Sequence, residues 1–336
     1  MSYLNNLFND IIKDFSKEQY KNQIILSRRC VLDNDIVLIA YFNNYKKKKE
    51  LSIKISNNFN REVVAKYPDW NGISFRISEI ENGDDKGLYL SFPQLENSDE
   101  NIYDAILEDI IENLNVINGI EQVINAVGKV LVKWKQFFKT HNQFVMSEVR
   151  QQGLYAELVF LKKMISENGD KALNYWSGCN FETHDFYIKG NAIEVKSSSS
   201  NDGNSVIISN EFQLDINDVS ERLYLMFIYL RKSLSDGQTL PGIVEEIINM
   251  LEESSAIEML EQKLFKYGYL LKRPDIYIYG FRIREVRYYE IDSCFPNITK
   301  GNLHNAISNV SYKLNLSKCD KFYVSEECII EKLKVV

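Results

Sequence analysis

Apolar and polar positions alternate in short runs over the first 95 residues. CVLDNDIVLIAYF, ELSIKIS, REVVAKY, ISFRISEI and GLYLSF are split by Asn, Asp, Gly and Lys. Alternation of this kind sends one strand face to a core and the other to water, so the block reads as β-rich behind a short helix at 4–15. The lysines at 46–49 read as a solvated hairpin tip. The pattern changes at Asp99, a plausible N-cap, after which Ile102, Ala105, Ile106, Ile110 and Ile111 recur at helical spacing. A second helix is expected over 116–138, with Gly119 and Gly128 as weak points. The expected organisation is a β-rich N-terminal domain over 1–98 (a DNA-specificity or interaction module), a helical linker over 99–145 and a second domain over 146–336.

From Ser147 the expected order is a helix at 147–167 and strands near Trp176 and at 184–189, 192–198, 205–209 and 223–230. A helix at 241–266 and strands over 275–291 follow, with short strands in YKLNL and KFYVSEE. Mixed helices and strands of this kind predict an α/β or α+β domain. Neither an internal repeat nor a low-complexity linker is evident beyond the serines at 197–200.

Composition narrows the picture by exclusion. With 336 residues, 45% hydrophobic and 26% charged, the chain is long enough for about two domains. No basic stretch followed by an apolar one opens the sequence, so no signal peptide is expected. The longest strongly apolar run, 223–230, is far short of the ~20 residues that span a bilayer, so no membrane association is expected. The five cysteines (Cys30, Cys179, Cys294, Cys319, Cys328) are scattered and never form CxxC, as for reduced thiols in a cytoplasmic protein. The histidines His141, His184 and His304 lie far apart. HExxH, Walker A and GxGxxG are missing, so zincin, P-loop and Rossmann readings have no support. The net charge of −7 argues against binding nucleic acid by bulk electrostatics.

The chemistry concentrates in THDFYIKGNAIEVKSSSS, residues 183–200. Gly190-Asn191 is a two-residue turn signal. With those residues as the loop, Tyr187 faces Glu194 and Asp185 faces Lys196. Asp185, Glu194 and Lys196 then share one face, while Phe186, Ile188, Ile193 and Val195 form the other. Asp185 would lie about 5 Å from Lys196 and roughly 7–8 Å from Glu194, a spacing at which two carboxylates can grip one divalent ion. An exposed hairpin that carries these charges by chance is the plainer reading. Upstream, Leu154, Leu158, Leu161 and Ile165 make an apolar helical stripe with Glu157 on its edge. A carboxylate facing a core is costly unless it is paired, hydrogen-bonded or on a metal; an Arg partner or a snorkelling Glu is the plainer reading. Gly153 and Ala156 would let this helix approach a sheet closely.

These residues resemble the PD-(D/E)XK nuclease core: Glu157 on a helix, Asp185 opening one strand, Glu194-Val195-Lys196 on the next. WKQFF, GLYAELVFL, THDF, IEVKSS, VIISNEFQL, CFPNI and VSYKLNL are similar, over roughly 100–320, to a bacterial family of PD-(D/E)XK motif proteins regarded as restriction endonucleases. The literal Pro-Asp is absent, since His184 precedes Asp185. The resemblance implies a restriction-endonuclease-like fold, a mixed central sheet flanked by helices. It implies a type II-like, Mg²⁺-dependent DNA endonuclease of restriction-modification and phage defence, with Mn²⁺ as a substitute ion. Asp185, Glu194 and the Val195 carbonyl would hold the ion, and Glu157 a metal-linked water or second ion. Lys196 would orient the attacking water. The Lys196 pKa could be depressed by the cation or desolvation, or raised by the carboxylates; the sequence leaves both open.

A DNA surface needs cations. Lys263, Lys266, Lys272, Arg273, Arg282, Arg284 and Arg287 interleave with tyrosines between residues 263 and 290, and FRIRE puts Arg282 and Arg284 on one strand face. An ordinary solvated edge strand would look the same. Ser197, Ser198 and Gln213 are further candidates for phosphate contact. Trp134 and Trp176 read as core, and His184 as a packing or hydrogen-bonding residue. The expected partners are double-stranded DNA, a second copy of the chain, and a cognate methyltransferase or ATPase. Rival readings are a non-catalytic DNA-binding or assembly subunit and a nuclease for RNA or single strands. Against a net charge of −7, nonspecific DNA binding is expected to be weak and salt-sensitive.

Overall fold

The computed structural model describes residues 3–67, 73–81, 83–140, 145–200 and 203–335; His141 lies outside them. The chain divides into two units, Met1–Phe144 and Val145–Val336.

In the first unit, α1 (Tyr3–Asp14) precedes β1 (Ile25–Val31), β2 (Val37–Asn43) and β3 (Lys48–Ile55). Next come α2 (Arg61–Ala65), β4 (Arg76–Ile80), β5 (Gly87–Pro93), α3 (Glu100–Asn115) and α4 (Val123–Thr140). The strands form one antiparallel sheet in the order β1-β2-β3-β5-β4. Asp99 caps α3, its carboxylate accepting the N–H groups of Asn101 and Ile102. Of the helical linker expected over 99–145, α3 and α4 fall within this unit.

Three local expectations change. REVVAKY is helical over Arg61–Ala65, because the Asn60 side chain takes the Glu62 N–H and starts a helix. The second helix starts at Val123 and not at 116, since Gly119 sits at φ 98°, a left-handed conformation no helix continues through. Lys49 is no part of a solvated tip. It is 8% exposed, with its ammonium on Asp104 at 2.9 Å and on Glu100 at 2.8 Å.

The second unit begins with α5 (Glu148–Asn168), β6 (Phe186–Ile188), β7 (Asn191–Ser198), β8 (Ser205–Ile208) and β9 (Leu223–Ser233). It continues through β10 (Gln238–Thr239), α6 (Leu240–Met250), α7 (Ser254–Tyr267), β11 (Gly280–Ile291), β12 (Tyr312–Asn315), β13 (Tyr323–Val324) and α8 (Glu326–Leu333). The fold is mixed α/β. Its main sheet runs β10-β11-β9-β7-β6, with β13 beside β11; β7 and β9 are parallel and the other pairs antiparallel. The helix expected over 241–266 is two helices. Leu251 turns extended after α6, and the Asp170 carboxylate takes the N–H groups of Glu252 and Glu253 just ahead of α7.

Strand alternation assigns the two faces of this sheet. Ile193, Val195, Tyr224, Met226, Ile228 and Tyr288 pack against α5, α6, α7 and α8. Ala192, Leu223, Leu225, Phe227 and Tyr289 pack against the two-stranded β8–β12 ribbon. The helices α5–α8 of this unit therefore lie on one face of the sheet and the ribbon covers the other. Trp134 and Trp176 are buried, as read from the sequence.

Candidate active site

The β6–β7 hairpin turns through Lys189 (φ 51°) and Gly190 (φ 79°), both left-handed as a type I′ turn requires. Phe186 pairs with Ile193, Tyr187 with Ala192 and Ile188 with Asn191. The expected loop, Gly190-Asn191, is one residue too late. Each β6 residue therefore meets a β7 residue two positions earlier than expected. An even slip keeps every side chain on its face but continues the ladder with Asp185 opposite Glu194, where Lys196 was expected.

β6 is only three residues long, and pairs with β7 no further than Ile193. Asp185 stands where the next ladder residue would, and its Oδ2 accepts the Val195 N–H at 2.7 Å. The Asp185 carbonyl in turn accepts the N–H groups of Ser177 and Gly178 at 2.7 and 3.0 Å. The acid is thus fixed at both its backbone and its side chain.

Glu157 comes from α5, on the helical side. It is 6% exposed, and its partners are aromatic rather than an Arg. The Trp176 Nε1–H donates to Oε2 at 2.8 Å, and the Tyr267 hydroxyl donates to Oε1 at 2.7 Å. A Cβ on Gly178 would collide with Glu157 Oε2 and meet Asp185 Oδ1 at 3.0 Å. The two carboxylates therefore converge over a glycine that leaves room for both. On β7, Glu194 Oε1 pairs with Lys196 Nζ at 2.7 Å, while its buried Oε2 has no hydrogen-bond partner. His184 is fully buried edge-on to Tyr187; its Nδ1 lies 3.7 Å from Glu194 Oε2, and neither ring nitrogen has a hydrogen-bond partner.

The electrostatics follow from burial. Burial raises the Glu157 carboxyl to about 7, against the lowering pull of the Trp176 and Tyr267 hydrogen bonds. Burial raises Asp185 well above the usual carboxylate range, and Glu157 and Glu194 add to that rise. For Lys196, burial works to lower the pKa, but Glu194 and Asp185 outweigh it and the net shift is upward. Of the two directions left open by the sequence, the carboxylates win.

Does this donor set suit a divalent cation? Among the described residues no group of three or more His, Cys, Asp or Glu side chains is spaced to cage an ion. A looser site does fit: hard oxygen donors, one of them buried and unpartnered on Glu194, in a cluster where burial and neighbouring carboxylates raise Asp185. Two carboxylates with a backbone carbonyl and water would satisfy such an ion. At Val195, it is the peptide N–H that lies on Asp185.

The other candidates are engaged elsewhere. Ser197 Oγ accepts from Gln152 Nε2 at 3.2 Å, and Ser198 pairs with Ser200 at 2.9 Å. Gln213 closes a local turn, accepting the Ser209 N–H. A bulge between Ile283 and Glu285 breaks the alternation of FRIRE. Arg282 goes to Asp236, and Arg284 lies over the Tyr229 ring at 5.3 Å. Arg287 is 13% exposed, holding the Gly203 carbonyl and Asn204 Oδ1, each at 3.0 Å. The sequence reading missed Gly178, grouped Tyr267 with the tyrosines of the basic stretch and took Trp176 for core alone. Its one usable signal was an acid on an apolar stripe, which demands donors without saying which.

One helix and a β-hairpin thus bring Glu157, Asp185, Glu194 and Lys196 into one buried cluster. Over residues 9–317 the chain matches the family described as "Putative PD-(D/E)XK family member" (DUF4420). No curated protein and no solved structure matches it. The match covers nearly the whole length, and the chain belongs to this family.

Proposed function

We propose that this protein is a Mg²⁺-dependent DNA endonuclease of the restriction type, active in bacterial defence. The observation that carries the reading is the single buried cluster of Glu157, Asp185, Glu194 and Lys196. The order helix, short strand, long strand supports a restriction-endonuclease-like core in the second unit. Asp185, Glu194 and the Val195 carbonyl would hold the ion, with Glu157 beside them. A divalent cation there supplies charge neutralisation and lowers the pKa of a water. Lys196, kept as an ammonium by its carboxylates, orients the attacking water and offsets charge growing on the phosphate. Hydrolysis forms one P–O bond to water and breaks the P–O bond to the leaving sugar. With one such cluster among the described residues of the chain, cutting both strands calls for a pair of copies, and we take the working form to be a homodimer on double-stranded DNA.

Plasmid DNA incubated with Mg²⁺ and wild type, Asp185→Ala or Lys196→Ala tests this. The expected result is cleavage by wild type alone. Cleavage surviving both substitutions sinks the site. If wild type cuts neither methylated, unmethylated nor single-stranded DNA but binds it, a non-catalytic DNA-binding or assembly subunit becomes the better reading.

A further inference from the structure

Tyr267 lies 110 residues from Glu157 in sequence, on another helix, yet it is fitted to one face of α5. Arg150, Gly153 and Glu157 fall at spacings of three and four, so they share that face. The Arg150 guanidinium donates to the Tyr267 carbonyl at 2.6 Å and stands 5.7 Å from its ring centre. The Tyr267 hydroxyl lies close over Gly153: a Cβ there would meet it at 3.6 Å, an ordinary contact. That hydroxyl then reaches Glu157 Oε1. On the other side of the carboxylate, the Trp176 indole holds Oε2 and stacks on the Tyr267 ring at 6.2 Å. One turn earlier on α7, Lys263 donates to the Trp176 carbonyl at 2.6 Å. The 176–178 turn also donates two N–H groups to the Asp185 carbonyl.

We propose that Tyr267 and Trp176 are positioning residues that clamp the Glu157 carboxylate beside Asp185, making α7 a working part of the site. The inference rests on the nuclease reading and deepens it. Free to rotate, a Glu side chain on α5 would spread over several rotamers. With a donor on each oxygen it keeps one, and the same turn that presents the indole fixes Asp185. Hydrogen bonds behind a metal-binding carboxylate set its orientation, and their loss weakens metal affinity about 10–100-fold.

The test compares wild type with Tyr267→Phe, which deletes one hydroxyl and keeps the ring. Gly178→Ala is the second variant, pressing a methyl against Glu157 Oε2, the oxygen that Trp176 holds. Mn²⁺ binding is measured by calorimetry, melting by circular dichroism, and cleavage as kcat and KM for DNA. The expected result is that variants folded like wild type bind Mn²⁺ about tenfold more weakly and lose kcat, with KM for DNA unchanged. A merely structural role would lower the melting temperature and leave the Mn²⁺ affinity of the folded protein alone. If Tyr267→Phe fails to fold, Gly178→Ala decides. Folded variants within twofold of wild type in both Mn²⁺ affinity and kcat overturn the clamp and leave the nuclease reading standing. A wild type that neither binds Mn²⁺ nor cuts DNA overturns the nuclease reading, and the clamp falls with it.

Discussion

The Asp185 carboxylate accepts the Val195 backbone N–H at 2.7 Å, taking the place of the ladder partner that a longer β6 would have supplied. One side chain therefore both ends a strand and presents an acid. The two duties separate by substitution. Asp185→Asn keeps an acceptor for Val195 and removes a charge whose ionised form is disfavoured. Its melting temperature at neutral pH without metal should equal or exceed that of wild type, with cleavage abolished. Asp185→Ala leaves a buried N–H unsatisfied and should lose about 1–3 kcal/mol. Urea titration of both variants at pH 7.5 checks the difference.

The Glu157 carboxyl, raised to about 7 by burial, makes metal-free stability depend on pH. A carboxyl whose folded pKa exceeds its unfolded value binds the proton more tightly when folded. Its contribution is complete below the unfolded pKa and is lost as pH rises through about 7. Between pH 4.5 and 8 without metal, the unfolding free energy from urea titration should fall by on the order of 2–3 kcal/mol in all. Glu157→Gln should flatten that slope, because its carbonyl can still take the Trp176 N–H while its amide donates to the Tyr267 oxygen. An equally steep slope in the variant would show that Glu157 is not its source.

Metal uptake should show the same protons. Ions that bind ionised carboxylates displace protons from groups with raised pKa values. Mn²⁺ affinity should therefore climb from pH 6 to pH 8. Calorimetry in buffers of different ionisation enthalpy should register proton release at pH 6.5 that shrinks by pH 8. Uptake of protons at either pH would contradict the assignment.

Lys49 and Asp104 make a buried ion pair in the first unit, 8% and 3% exposed. Removing one partner of such a pair leaves the other charge buried, at a cost of about 3–5 kcal/mol. Asp104→Ala should accordingly lose roughly 3 kcal/mol, with Glu100 holding part of the charge. Chemical denaturation measures it, and a loss below 1 kcal/mol would mean that Lys49 reaches solvent once released.

A homodimer that cuts one strand with each copy should be poisoned by dead subunits. Wild type mixed with excess Asp185→Ala should accumulate nicked circles and little linear plasmid. Unchanged linear product, scaling only with wild-type concentration, would argue for a chain that cuts alone.

Local backbone geometry made part of this legible in the sequence. The period of two set Asp185, Glu194 and Lys196 against Phe186, Ile188, Ile193 and Val195, and an even register slip could not mix the faces. The helical period put Glu157 on the margin of an apolar stripe that is buried, and Asp99 capped α3 as its side chain and position suggested. Periodicity says nothing of what approaches from far along the chain. The donors that hold Glu157 arrive from 19 and 110 residues away. Lys49, one of four consecutive lysines, is drawn inside by an aspartate on α3, and a bulge aims Arg282 and Arg284 at different partners. The sequence by itself determined which side chains share a face, because that follows from dihedral angles repeated residue by residue. Only the tertiary structure decided which charges are paired and which carboxylate is clamped, because those depend on packing between elements that no local pattern encodes.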